Sequence, residues 1–98
     1  MKSNLCHLSL QKPPEFLFCA MKAEKSYEAF RGGLKRPEMS FIEMYASETD
    51  ARRATKDVHP SVLVVLSGVM DEEGYLFYHA ETGEWLADEI PARYLRLC

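Results

Sequence analysis

The sequence predicts an α+β domain, with helical patterns early and strands gathered late. Three observations carry this. Apolar residues recur at helical spacing from Ala23 through Phe30 to Leu34, with a glycine pair, Gly32-Gly33, just before the last. The longest apolar run, Val62-Leu63-Val64-Val65-Leu66, is the length of one buried strand. The stretch 73–97 then alternates like a hairpin around Gly83. The order of elements is β-α-β-α-β-β-β-β, which is not the steady alternation of a doubly wound sheet.

Lys12-Pro13-Pro14 sets off a short segment, 5–10, from residues 16–21, Phe-Leu-Phe-Cys-Ala-Met, which read as a buried strand. Residues 24–31 read as a helix, with Ala23, Tyr27, Phe30 and Leu34 at i, i+4, i+7 and i+11 along its apolar face. Gly32-Gly33 ends it, because glycine tolerates the left-handed conformation that terminates helices. Residues 40–46, Ser-Phe-Ile-Glu-Met-Tyr-Ala, form the second strand.

Ser47-Glu48-Thr49-Asp50 caps a second helix. Ser47 is the acceptor for the free amides, and Glu48 and Asp50 suit the positive end. Ala51, Ala54 and Val58 give it a thin apolar face, and the helix stops before His59-Pro60. Residues 62–66 make the central strand, and 68–73 a tight segment. Strand 75–79, a turn at Glu81-Thr82-Gly83 and a return strand 84–86 follow. Pro91 breaks the chain, and 94–97 is a closing strand.

With 98 residues, 1–98 is expected to be one domain with a modest core. The 47% hydrophobic and 28% charged content place it among ordinary globular chains, not disordered ones. No run spans a bilayer, and polar residues interrupt any leader segment, so no membrane association is expected. Three cysteines, an odd number without C-x-x-C spacing, point to a reducing cytoplasm and not to a disulfide or zinc scaffold. The Cys6-His7 pair lacks a partner cluster, and the acidic runs lack EF-hand spacing, so no metal is expected. A net charge of −3, with basic residues in small separate clusters, disfavours strong nonspecific grip on nucleic acid.

The closing stretch contains Phe77-Tyr78, Thr82-Gly83, Trp85-Leu86, Asp88-Glu89, Pro91 and Tyr94-Leu95 in that order. This succession resembles the C-terminal end of the NAD-dependent RNA 2′-phosphotransferases, whose fold is that of the ADP-ribosyltransferases. The likeness extends back to about Phe16. Phe18-Cys19-Ala20-Met21 stands where the family has Y-H-G-T, and Gly33-Leu34 where it closes a helix with G-L. Met44-Tyr45-Ala46-Ser47 stands where it has V-H-L-S, and Val64-Val65-Leu66 matches its next strand. The resemblance implies a compact ADP-ribosyltransferase-like fold: two small packed β-sheets with two early helices.

It also implies a site with NAD as substrate. The family's site positions, two histidines and a hydrophobic residue, are Cys19, Tyr45 and Glu84 here. The family's N-terminal lobe, with its Arg-His pair for the RNA phosphate, has no counterpart in the fifteen or so residues before the first strand. Tyr45 and Glu84 fall where His-Tyr-Glu members of the wider superfamily carry their tyrosine and glutamate. The resemblance therefore implies that Tyr45 stacks on nicotinamide, whose planar ring suits an aromatic face. Glu84 would accept from the ribose hydroxyl and offset the charge that builds as nicotinamide leaves. Cys19, Ala20, Tyr45, Ser47 and His79 would line the cofactor site.

Each residue also has a plainer role to set beside this one. Glu84 can be a solvated strand glutamate, Tyr45 an aromatic at the core edge, Cys19 a small apolar filler and His79 a cross-strand polar residue. Arg52, Arg53 and Lys56 are either a solvated helix face or pyrophosphate ligands.

Three functions follow. The first is NAD-dependent ADP-ribosyl transfer to a protein or nucleic-acid acceptor. The second is a catalytically lapsed module that binds NAD, ADP-ribose or a protein partner. The third is RNA 2′-phosphate transfer.

Overall fold

The computed structural model describes residues 8–38 and 40–98. Cys6, His7 and the start of the 5–10 segment lie outside the described residues. The α+β class holds, with antiparallel pairing throughout.

The apolar run becomes β5 (Ser61–Val65), the middle strand of a three-stranded sheet. Consecutive apolar residues suit it because neighbours cover both faces: Val62, Leu63 and Val65 are all buried. On one side lies β2 (Leu17–Met21), with Leu17 opposite Val65 and Met21 opposite Ser61. On the other lies β9 (Leu95–Leu97). Arg96 folds back over that outer strand, its guanidinium donating to the carbonyls of Arg93 (2.9 Å) and Leu95 (2.8 Å). A charged group is thereby laid across a free sheet edge.

The second sheet has four strands in the order β1 (Leu8–Leu10), β6 (Tyr78–Ala80), β7 (Trp85–Ala87), β4 (Ile42–Met44). Alternation along β4 buries Ile42 and Met44 and exposes Glu43. Met44 faces Trp85 and Ile42 faces Ala87 across the strands, and all four enter the core. The two sheets expected are joined by a third, two-stranded one: β3 (Leu34–Lys35) beside β8 (Glu89–Ile90). Its latch is an exposed Arg36–Asp88 pair at 2.8 Å, with the Arg36 guanidinium 4.5 Å from the Phe41 ring centroid.

The first two sheets meet at one residue pair. Phe18 and Tyr45 exchange both backbone bonds, at 2.7 and 2.8 Å, forming an isolated antiparallel bridge. This bridge fixes the backbone of Tyr45 next to β2.

Helix α1 (Ala23–Gly32) ends at Gly33, whose φ of 82° and ψ of −179° form an extended positive-φ conformation open to glycine, not the left-handed helical cap expected there. Its buried face differs from the expected one. Ser26 and Ala29 are buried, whereas Tyr27 is 73% exposed and Phe30 37%. Small side chains let the helix lie close on its neighbours, and the Ser26 hydroxyl is satisfied by the Ala23 carbonyl at 2.7 Å. Helix α2 (Glu48–Ala54) is capped as expected: Ser47 Oγ accepts the Asp50 amide at 3.1 Å. Its apolar face is thinner than the pattern suggested. Ala51 is buried, while Ala54 is exposed and Val58 is 83% exposed.

A third helix, α3 (Ser67–Glu72), occupies most of the expected tight segment. Two long-range bonds fix its start. The buried Ser67 hydroxyl donates to the Pro14 carbonyl at 2.8 Å, and the Gly68 amide donates to Glu15 at 2.9 Å. Met70 anchors it in the core.

The strand expected over 75–79 begins three residues later, at Tyr78. The Tyr75 amide instead donates to the Met70 carbonyl at 3.0 Å, holding residue 75 to the end of α3. The turn is as expected: the Gly83 amide donates to Ala80 at 2.9 Å with Gly83 at φ 107°. A 3-10 turn, Ala92–Tyr94, precedes β9. Its Tyr94 hydroxyl donates to the Glu73 carboxylate and accepts from Arg93 at 2.7 Å. No helix among the described residues is long and apolar enough to cross a membrane.

Candidate functional site

Strand periodicity carries the site. Met44 points into the core, so its neighbours Glu43 and Tyr45 project to the opposite face of β4. Their side chains meet there: the Tyr45 hydroxyl donates to the Glu43 carboxylate at 3.3 Å. The backbone carbonyl of Glu43 also accepts from the Cys19 thiol at 3.5 Å. Strands β4 and β7 pair Ile42 with Ala87, Glu43 with Leu86 and Met44 with Trp85. The pairing ends there, and Tyr45 turns its backbone to Phe18 while the Glu84 charge still acts on its phenol.

The ionisation of this cluster shows how close its members are. The Tyr45 phenol is pushed up to about 12, first by burial, then by the charge and hydrogen bond of Glu43, then by Glu84 and Cys19. The Cys19 thiol is pushed up to about 11 by burial and by Glu43. Both groups therefore stay protonated at neutral pH. Tyr45 is a hydrogen-bond donor, and Cys19 is no thiolate nucleophile.

Two adjoining cavities open over this face, with Tyr45 and Ala54 in the wall of each. The smaller, about 200 Å³, is lined by Cys19, Ala20, Glu43, Ala51 and Thr55 besides those two. The larger, about 360 Å³, reaches Asp50 and Arg53 of α2 and Thr82-Gly83 of the turn. Glu84 follows that turn, half-buried, its carboxylate accepting from the Thr82 hydroxyl at 2.6 Å. The smaller cavity thus carries one carboxylate, Glu43, beside the Tyr45 ring. The larger carries Arg53 together with Asp50, ion-paired at 3.9 Å, and Glu84 lines neither.

Cys19, Ala20 and Tyr45 therefore share one cavity, and Glu84 lies near enough to act on Tyr45. Ser47 is half-buried with its hydroxyl committed to the cap of α2. His79 lies elsewhere. It is the cross-strand partner of Trp85 and stacks flat on that ring, with centroids 4.1 Å apart and planes 7° apart. Trp85 faces the core, so alternation sends His79 and Glu84 to opposite faces of the sheet. His79 is in the lining of neither cavity. Of the helical basic residues, Arg53 lines the larger cavity, while Arg52 is turned to Glu48 at 2.8 Å.

Glu43, Asp50, Thr55 and Thr82 are polar cleft residues that sequence reasoning did not assign to the site. For Glu43 the signal was present: it stands two residues before Tyr45 in a strand, and period two places both side chains on one face. Among the described residues no group of three or more His, Cys, Asp or Glu side chains is placed to hold a metal ion.

No known family profile matches the chain. Individual proteins do. It is 28% identical over 90 residues to a protein of Flavobacterium johnsoniae named probable RNA 2′-phosphotransferase, covering 91% of this chain and 50% of that protein. Proteins of the same name from Acaryochloris marina and Streptomyces coelicolor are 32% identical over 83 residues and 33% over 92. Those alignments cover 84% and 91% of this chain, and 46% and 50% of the relatives. The chain therefore spans about half the length of the curated relatives it matches.

Proposed function

We propose, from the premise that this chain resembles half of the proteins named RNA 2′-phosphotransferases, that it is a small ADP-ribosyltransferase-like unit that takes NAD as substrate. The observation that carries the reading is an aromatic face with a carboxylate in one cavity and a guanidinium in the adjoining one. NAD joins a cationic ring to an anionic diphosphate, and the cleft offers Tyr45 with Glu43 in the smaller cavity and Arg53, beside Asp50, in the larger. The donor set fits the group. Together the two cavities fall within the range of small-molecule sites.

In this reading Tyr45 supplies an aromatic face to the nicotinamide ring and a protonated hydroxyl fixed by Glu43. Glu84 accepts from the ribose and holds a negative charge near the reacting carbon. Arg53 steadies the diphosphate. Bound NAD would supply a ribosyl–nitrogen bond that breaks as neutral nicotinamide leaves with the bonding pair, while an acceptor nucleophile bonds to that carbon. Cys19 keeps its proton and serves as packing beside the ring.

The test is calorimetric titration with NAD, followed by nicotinamide release with the purified protein. Binding is expected, and Glu84→Gln should slow release on the order of a hundredfold while leaving binding nearly intact. Absence of NAD binding, or release untouched by Glu84→Gln, would defeat the reading. Tight binding without release in the parent protein would instead indicate a lapsed binding module.

A second reading rests on the names of the relatives, namely transfer of a 2′-phosphate from RNA. Turnover of a 2′-phosphorylated oligonucleotide with NAD would establish it. The cytoplasm suits either activity, in keeping with three cysteines of odd count.

A further inference from the structure

The carboxylate bonded to the Tyr45 hydroxyl is Glu43, to which the resemblance assigns no role and the proposed chemistry only that of fixing that hydroxyl. Four observations define its position. It projects from β4 on the same face as Tyr45, and its carboxylate accepts the Tyr45 hydroxyl at 3.3 Å. Its backbone carbonyl takes the Cys19 thiol at 3.5 Å, so main chain and side chain both face the smaller cavity. The other described residues lining that cavity are Cys19, Ala20, Tyr45, Ala51, Ala54 and Thr55, none of them a cation. The nearest cation lining the cleft, Arg53, belongs to the larger cavity and is ion-paired to Asp50 at 3.9 Å.

The smaller cavity therefore carries one carboxylate and one aromatic wall, and Tyr45 also lines the larger cavity, where Arg53 is paired with Asp50. A neutral planar ring gains only the aromatic contact there. A positively charged ring of the same shape also gains the field of Glu43. We infer that Glu43 is a specificity-determining residue, selecting the oxidised, cationic nicotinamide ring over the reduced, neutral one. This rests on the proposed NAD reading and deepens it. The direct contact with Tyr45 needs only an acceptor oxygen, whereas the selection needs the charge. The two can be separated by one substitution: Glu43→Gln keeps the acceptor and removes the charge.

The experiment is calorimetric titration of the whole protein and of Glu43→Gln with NAD and with NADH. The parent protein is expected to bind NAD roughly fivefold more tightly than NADH, the size of a solvent-accessible charge contact. In Glu43→Gln that ratio should fall to about one, with NADH affinity unchanged. Glu43 is exposed, so the substitution leaves the core untouched. Equal binding of NAD and NADH by the parent protein would overturn the inference and leave the NAD reading standing. A preference that survives in Glu43→Gln would do the same. Failure to bind either dinucleotide would sink both.

Discussion

His79 lies flat against Trp85, with ring centroids 4.1 Å apart and planes 7° from parallel. The stack forms because the two residues are cross-strand partners on the core side of the four-stranded sheet. His79→Ala should lower unfolding free energy by about 0.5–1.5 kcal/mol, the range of an aromatic pair beyond its buried area. NAD affinity should stay the same, because His79 is on the opposite face from Glu84. Urea denaturation followed by Trp85 fluorescence, run beside calorimetric titration, checks both halves.

Cys19 should resist alkylation. With its thiol raised from 9.0 to about 11 by burial and by Glu43, the thiolate fraction at pH 8 falls roughly a hundredfold below that of an ordinary cysteine. Peptide mapping after brief iodoacetamide treatment should find Cys19 unmodified under conditions that label a free model thiol. Fast labelling at Cys19 would contradict its placement.

The same shift fixes a pH dependence. A group whose folded value is raised stabilises the fold fully below its unfolded value and loses that contribution as pH climbs through the folded one. For Cys19 the window runs from 9.0 to about 11, and Tyr45 extends the trend from 10.0 to about 12. Thermal midpoints should therefore be unaffected by these two groups below pH 9 and fall above it. The slope between pH 9 and 11 should be shallower in Cys19→Ala than in the parent protein.

Gly33→Ala should be costly. The position has φ 82°, and an added Cβ would stand 2.7 Å from the Ile90 carbonyl oxygen. That positive-φ conformation alone costs about 1–3 kcal/mol with a side chain, and the clash adds to it. Gly32→Ala is the control, since a Cβ there meets nothing within 4 Å. A smaller loss of thermal midpoint at 33 than at 32 would show that the helix end is placed differently.

Tyr94→Phe should lower the denaturation midpoint. It removes the hydroxyl that links the Glu73 carboxylate to Arg93 while keeping the ring against Tyr75. The Tyr94 ring is buried, and its centroid lies 5.5 Å from that of Tyr75 in an edge-on contact, so packing survives the change. Denaturation midpoints for Tyr94→Phe and Glu73→Ala should shift in the same direction, because each removes one side of the same link.

What was legible in the sequence was what depends on local order. The cap at Ser47, the stop at Gly33 and the turn at Gly83 each follow from one residue's own conformational preference. The central strand was equally clear, because a five-residue apolar run has few other uses. Helix α3 was not, since Ser67 and Gly68 are fixed by Pro14 and Glu15, more than fifty residues away in sequence. The face of α1 was misread because periodicity counts large apolar residues, whereas close packing selected Ser26 and Ala29. In the cleft, Tyr45 and Glu84 were named through resemblance. Glu43 was missed although strand alternation alone pairs it with Tyr45.

The double backbone bond between Phe18 and Tyr45 rivets the two larger sheets together at the floor of the cleft. Any widening needed to admit a ligand must therefore come from the rim: α2 shifting on one side, or the 81–83 turn swinging on the other. The amide protons of Phe18 and Tyr45 should be among the slowest in the protein to exchange with deuterium, with or without ligand. The amides of the turn would be the ones to slow when the cleft fills. The seam makes the aromatic wall a fixed post, and entry a matter for the walls that face it.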